Sequence, residues 1–275
     1  MSANMNMMFE PMDLEIASPA TVSRVGMVFL QPHEMGWHHL YESWKNTLPT
    51  TFKEDQFKVL DSLILVIVDP ILEFLRAECL EESPTEDQNL VTSMMRIMKI
   101  LFKCWESEEF YQQYDKKQIQ QMIESSFVFA SCWSLCCSVK TESRKTMNLQ
   151  YKKIINGEVD NIPKLKNKIL PGCFDRGTIY DYCYLPETNE WQNWMDQTNK
   201  DEIDNFPKGS VANELIVTTA DTIRYGYMQE MFIMNDIPSL FVGPTGTGKT
   251  AYIQNVLFQK LDPAKWLIIE VGFSA

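Results

Sequence analysis

Along residues 57–75 the apolar positions Phe57, Leu60, Ile64, Ile67, Val68, Ile71, Leu72 and Leu75 recur every three or four residues, which predicts an amphipathic helix. Pro70 falls inside this stretch and predicts a kink or a break, since proline lacks the N–H and crowds the preceding turn. EESPTEDQN at 81–89 reads as a charged linker. Helical spacing resumes with Leu90, Met94, Ile97, Met98, Leu101, Phe102 and Trp105, and a third helix is predicted from about 116 to 139. The methionines and aromatics of these helices read as core, and Trp37, His38, His39 and Trp44 as helix core and surface.

The pattern changes on both sides of this helical region. In residues 1–32, MMFE and VGMVFL read as strands around the polar turn SPATVSR. Residues 140–210 are rich in Asn, Asp, Lys, Pro and Gly and read as irregular, with the alternation in TIYDYCYL predicting an irregular strand or hairpin at the surface. From 213 the order becomes α/β. A short apolar stretch, Leu215–Val217, precedes a helix beginning near Ala220, and IPSLFVG reads as a buried strand. After the loop GPTGTGKT comes a helix with Ile253, Val256, Leu257 and Leu261 on one face, closed by Pro263. WLIIEV at 266–271 is continuous in its apolar character, as buried parallel strands are. The fold class is therefore mixed: a helical subdomain in the N-terminal half, and a partial phosphate-loop α/β core at the C-terminus.

Composition narrows the function. The net charge of −12 argues against nucleic acid, whose binding depends on Lys and Arg neutralising phosphates. Hydrophobic residues at 45% are enough for a sizeable core. The apolar runs 59–76 and 127–139 do not read as membrane spans, because the first carries Asp61, Asp69 and Pro70 and the second is short. Seven cysteines, with no secretory leader read at MSANMNMMFEP, predict reduced thiols in the cytosol. No C-x-x-C pair is present, and His33, His38 and His39 are far in sequence from Cys132, Cys136 and Cys137, so zinc is not expected.

The candidate chemistry lies in Gly243-Pro244-Thr245-Gly246-Thr247-Gly248-Lys249-Thr250, a full match to the Walker A pattern in strand–loop–helix order. Glycines let backbone N–H groups wrap an anion that a Cβ would keep away. The following helix turns its N-terminus to the phosphates. Lys249 reaches the β- and γ-phosphates of ATP, or the β-phosphate of ADP, and Thr250 offers its hydroxyl to Mg²⁺. Only 25 residues follow Thr250 in this sequence, and an acidic strand end for the metal is not among them; Glu270 reads as a packing or rim residue. The chain on its own is expected to lack turnover. Arg24, between the polar turn and VGMVFL, occupies a rim position, and Glu10 reads as a plain strand-end carboxylate.

DLEIASPATVSRVGMV resembles the sequence that closes the large subdomain of the second AAA+ module of dynein heavy chains. GPTGTGKT, preceded by ELIVTTADTIRYGYM, resembles the opening of their third module, and DYCYLPETNEWQNW the strand-and-loop segment leading into it. The likeness runs along essentially the whole chain and is nearest to the axonemal type. Thr218 stands where the family pattern has proline, and Val25 where cysteine is frequent. The resemblance implies four parts. Residues 1–32 end the preceding core, 33–139 form its helical lid, 140–212 a linker with strands, and 213–275 start the next core. It further implies Arg24 as an arginine finger acting in trans, Ile216 and Val217 beside the adenine, and Gly243–Thr250 holding a regulatory nucleotide. The implied partners are the rest of the heavy-chain ring and, through the full motor, microtubules and intermediate and light chains, in cytoplasm, cytoskeleton and ciliary axoneme, with no nucleic acid or membrane. Two rivals stand beside it: a stand-alone P-loop kinase or GTPase, and a helical interaction fragment without turnover.

Overall fold

The computed structural model describes residues 7–28, 35–165, 169, 171–197 and 217–273. Two compact units separate at Gly36. In the first, Pro19–Val22 form a single helical turn, with the Ser18 side chain accepting from the Thr21 amide at 3.2 Å. SPATVSR is thus a capped helical turn, the first helical position being the proline that suits it. The expected strands are not formed over residues 7–10 and 25–28, where Phe9, Met27 and Val28 stand exposed. A β-branched run becomes a strand only when a neighbour completes its ladder, and the described residues of this unit supply none.

The second unit is built on helices α1 (His38–Lys45), α2 (Glu54–Glu78), α3 (Asp87–Leu101), α4 (Lys116–Cys132) and α5 (Thr141–Ile155). α2 packs on α4 and α5, and α3 on α1 and α4. The periodic apolar face predicted for α2 is the buried one: Leu60, Ile64, Ile67, Val68, Ile71, Leu72 and Leu75 lie in the core. Pro70 neither breaks nor ends the helix, which runs eight residues beyond it to Glu78. The cost of a mid-helix proline, about 3 kcal/mol, is outweighed by the burial of Ile67, Val68, Ile71 and Leu72 around it, each worth roughly 1.5–3 kcal/mol. Phe52, Phe57, Phe102 and Trp105 form an aromatic cluster, with Phe52 5.2 Å from both Phe102 and Trp105 between ring centroids.

Three expectations are corrected. The third helix ends at Cys132, not near 139, because the chain turns to pair with the linker: the Glu82 amide donates to the Ser138 carbonyl at 3.0 Å and the Lys140 amide to Leu80 at 2.8 Å. Residues 141–155, expected to be irregular, form α5, whose Met147, Tyr151, Ile154 and Ile155 are buried. The hairpin is present as β1 (Tyr182–Leu185) and β2 (Glu190–Asn193), antiparallel with Tyr184 opposite Trp191. It is not a surface feature. Cys183 and Tyr184 are fully buried, and Trp191 Nε1 donates to Ser125 Oγ of α4 at 3.2 Å. The Lys152 ammonium of α5 holds the preceding turn by donating to the carbonyls of Phe174 and Gly177, both at 2.6 Å.

Truncating the aromatic cluster should cost about 3–5 kcal/mol for Phe102→Ala, read as a lower urea midpoint. Burial pushes the Cys104 thiol up to about 12 from its ordinary value near 9. Its contribution to stability is therefore fully present below about pH 9 and lost as pH climbs towards 12. Urea midpoints from pH 8 to 11 should fall above pH 9, less steeply in Cys104→Ala.

Candidate nucleotide site

Helix α6 (Ala220–Ile233) begins with a reciprocal cap: the Thr222 amide donates to Thr219 Oγ1 at 3.3 Å, and the Thr219 amide to Thr222 Oγ1 at 2.7 Å. Its residues meet two neighbours. Towards the bundle, the Tyr227 ring lies 5.4 Å from Trp194, and the nine-tenths buried Arg224 places its guanidinium 6.0 Å from Trp133 while pairing with Asp221. Towards the C-terminal helix, Gln229 Nε2 donates to the Ile253 carbonyl at 3.4 Å and Lys260 pairs with Glu230 at 3.5 Å. Gly226 faces Val256 at this crossing, where a Cβ would make an ordinary contact, 3.6 Å from Val256 Cγ2.

The phosphate loop leads into α7 (Lys249–Asn255), which continues as a wider turn through Lys260. Val256 and Leu261 are buried and Ile253 and Leu257 half-buried, as the apolar face predicts. Gly246 and Gly248 have φ of 84° and 81°, the left-handed region that side chains with a Cβ rarely adopt. Thr247 Oγ1 donates to the Pro244 carbonyl at 2.9 Å. The Lys249 ammonium bends over the loop and donates to the carbonyls of Gly243 at 2.9 Å and Pro244 at 2.5 Å. Thr245, Gly246, Thr247, Gly248 and Thr250 face solvent. This donor set fits a phosphate group: backbone N–H groups of a left-handed glycine turn, a cation across it, and a hydroxyl in the first helical turn.

Residues 60–196 match the family pattern of the dynein heavy chain AAA lid domain, and residues 204–275 that of the P-loop containing dynein motor region. The chain belongs to the dynein heavy chain family. Human dynein axonemal heavy chain 3 is 35% identical over 287 residues, covering 100% of this chain and 7% of the relative. Rat dynein axonemal heavy chain 12 is 32% identical over 288 residues, covering 100% of this chain and 9% of the relative. For human dynein axonemal heavy chain 2 the identity is 31% over 275 residues, again 100% of this chain and 6% of the relative. The chain thus spans less than a tenth of the length of these curated relatives.

In this dynein segment Gly243–Thr250 form one contiguous loop entering α7. Val217 is exposed two residues before the Thr219 cap, and Ile216 lies outside the described residues. Arg24 is exposed in the first unit, its amide donating to Thr21 at 3.1 Å, and Glu10 is exposed and irregular. Two strand expectations are corrected: 237–243 and 266–271 have no regular secondary structure and no ladder partner among the described residues. Leu240, Val242, Leu267, Ile269 and Val271 are exposed, Leu240 at 86% and Leu267 at 87%, and Ile237, Phe241, Trp266 and Ile268 are half-buried. Glu270 accepts from Gln254 Nε2 at 3.0 Å, in keeping with a rim residue. No group of three or more His, Cys, Asp or Glu side chains placed to hold a metal occurs among the described residues. Sequence reasoning missed Tyr252, whose ring underlies Gly248; a Cβ on that glycine would lie 3.8 Å from Tyr252 Cζ. The i, i+4 spacing from Gly248 was the available signal.

Gly226→Ala should raise the thermal midpoint, because the added methyl makes an ordinary contact at 3.6 Å and alanine gains up to about 1 kcal/mol of helix propensity. Gly248→Ala should do the reverse locally, costing about 1–2 kcal/mol through its left-handed backbone. The check is faster amide exchange over 249–253 with bundle amides unchanged.

Proposed function

We propose that this chain forms the joint between two adjacent AAA+ modules, the second and third, of an axonemal dynein heavy chain, and that Gly243–Thr250 bind ATP or ADP with Mg²⁺. The observation that carries the reading is the loop itself: Gly246 and Gly248 at φ of 84° and 81°, with the Lys249 ammonium folded across the turn. When bound, the nucleotide with Mg²⁺ supplies the phosphoryl group and the charge that a motor ATPase works on. The loop N–H groups orient the phosphates, and Lys249 exchanges the Gly243 and Pro244 carbonyls for phosphate oxygens. Thr250 would offer its hydroxyl to Mg²⁺, and Ile216 and Val217 would border the adenine.

In this reading residues 1–32 close the preceding core, about 33–139 make its helical lid, 140–212 lead into the next module, and 213–275 begin that module. α5 and the hairpin lie against the lid. Arg24, exposed beside the capped turn Pro19–Val22, serves as the arginine finger of the neighbouring nucleotide. There its charge would meet that developing on the γ-phosphate, a contribution worth about 10³–10⁵ in rate in other phosphoryl-transfer systems. The bound nucleotide acts as a regulator of the principal motor ATPase and of microtubule release. The partners are the remainder of the heavy-chain ring and, through it, microtubules and intermediate and light chains in the ciliary axoneme. The names of the similar proteins, dynein axonemal heavy chains 3, 12 and 2, support that placement.

Titration with a fluorescent ATP analogue tests the cradle. Lys249→Ala should weaken binding at least tenfold, and unchanged binding would overturn the assignment. For Arg24, a ring carrying both neighbouring modules should lose at least tenfold in ATPase rate in Arg24→Ala. A rate equal to that of the unaltered ring would remove its role.

A further inference from the structure

The loop glycine Gly248 rests on a side chain that is itself held from the helical bundle. The Tyr252 amide donates to the Gly248 carbonyl at 3.0 Å, and its ring Cζ lies 3.8 Å from where a Cβ on Gly248 would stand. Tyr252 is half-buried, and the ring facing it belongs to Tyr225 of α6, 6.2 Å away between centroids and inclined by 50°. The Tyr225 hydroxyl accepts from the Arg144 guanidinium of α5 at 3.4 Å. Arg144 in turn lies over the Tyr180 ring at 6.0 Å, and the Tyr180 hydroxyl donates to the Cys136 carbonyl at 2.7 Å. Cys136 and Tyr180 belong to the buried core.

The geometry points to Arg144 and Tyr225 as positioning residues of the phosphate loop: together they hold Tyr252 under Gly248, so that the left-handed turn at the cradle is set by the bundle and not by the loop alone. This rests on the nucleotide reading of that loop. The chemistry is that of a supporting shell. A loop whose backbone donors must converge on an anion gains affinity when the side chain beneath it is locked. Tyr252 meets Gly248 through its amide and sets its ring beside the position a Gly248 Cβ would take, Tyr225 reaches Tyr252 by its ring, and the hydroxyl–guanidinium bond is the one polar link between α5 and α6 in this chain of contacts. Tyr225→Phe and Arg144→Met break that link and leave the aromatic faces in place. Arg144→Lys keeps a donor within the same side-chain length.

Two measurements on the full chain separate positioning from bulk stability. Amide exchange over 246–252 should quicken about fivefold in Tyr225→Phe and Arg144→Met, as expected for the loss of one hydrogen bond. Exchange within α2 and α4 should stay unchanged, and Arg144→Lys should return the loop to within about twofold of the parent. Affinity for the fluorescent ATP analogue should weaken about fivefold in the same two variants and recover in Arg144→Lys. Loop exchange that does not change, or that quickens together with α2 and α4, overturns the inference. Quickened loop exchange with unchanged analogue affinity, in a chain whose binding Lys249→Ala abolishes, also overturns it. If instead Lys249→Ala leaves analogue binding intact, the nucleotide reading fails, and the exchange data judge the positioning role independently.

Discussion

Helix α6 is gripped from both sides, and the candidate site depends on that grip. Towards the bundle it offers Arg224, Tyr225 and Tyr227 to Trp133, Arg144 and Trp194. Towards the C-terminal helix it offers Gly226, Gln229 and Glu230 to Val256, the Ile253 carbonyl and Lys260. A helix of 14 residues has little stability alone in water, so α6 forms because both surfaces are covered. The phosphate-loop helix is shorter still and takes its fixed place from α6. Removing either covering would leave the loop as a glycine-rich turn with nothing to hold its backbone donors in register.

The bundle behind α6 is suited to serve as the fixed side. Its buried faces combine apolar interdigitation with polar groups that are satisfied locally. Ser131 Oγ bonds to the Phe127 carbonyl at 2.8 Å, Thr51 Oγ1 to Trp105 at 2.7 Å, and Asn148 Oδ1 accepts from the Ile179 amide at 3.0 Å. Such groups cost free energy if left unpaired and select one packing when paired. Arg224 of α6 departs from this, as do Trp44 Nε1, Trp133 Nε1, Ser138 Oγ and Gln229 Oε1, which are buried without a hydrogen-bond partner. Arg224 is buried beside Trp133, paired to Asp221, and its Nε lacks a partner. A guanidinium in that position stays only because the aromatic face and the carboxylate together offset its desolvation.

The exposed apolar positions say something different about the chain's ends. Leu240 and Val242, and then Leu267, Ile269, Val271 and Phe273, alternate with their neighbours as strand residues do, yet stand in solvent. Alternation is a property of the residue order, whereas a ladder is a property of two segments lying side by side. Among the described residues no second segment lies beside them, so the ladder is not formed.

Much was legible in the residues alone. The phosphate loop is written in contiguous residues whose types follow from the geometry of anion binding, so Gly243–Thr250 could be located without coordinates. The amphipathic faces of α2 and α3 likewise follow from spacing, since a period near 3.6 has one structural meaning when sustained over several turns. The lid-and-motor family was legible too, because its motifs lie in order along one chain. Tertiary structure decided the rest. Pro70 stays inside a helix because neighbours bury the turns around it, and α4 stops at Cys132 because Val139 is drawn to Glu81. Residues 141–155 become a helix through burial that no local polar pattern announces. The support of Gly248 through Tyr252, Tyr225 and Arg144 joins residues more than a hundred positions apart. Contacts of that reach depend on how three helices pack, which one-dimensional spacing does not encode.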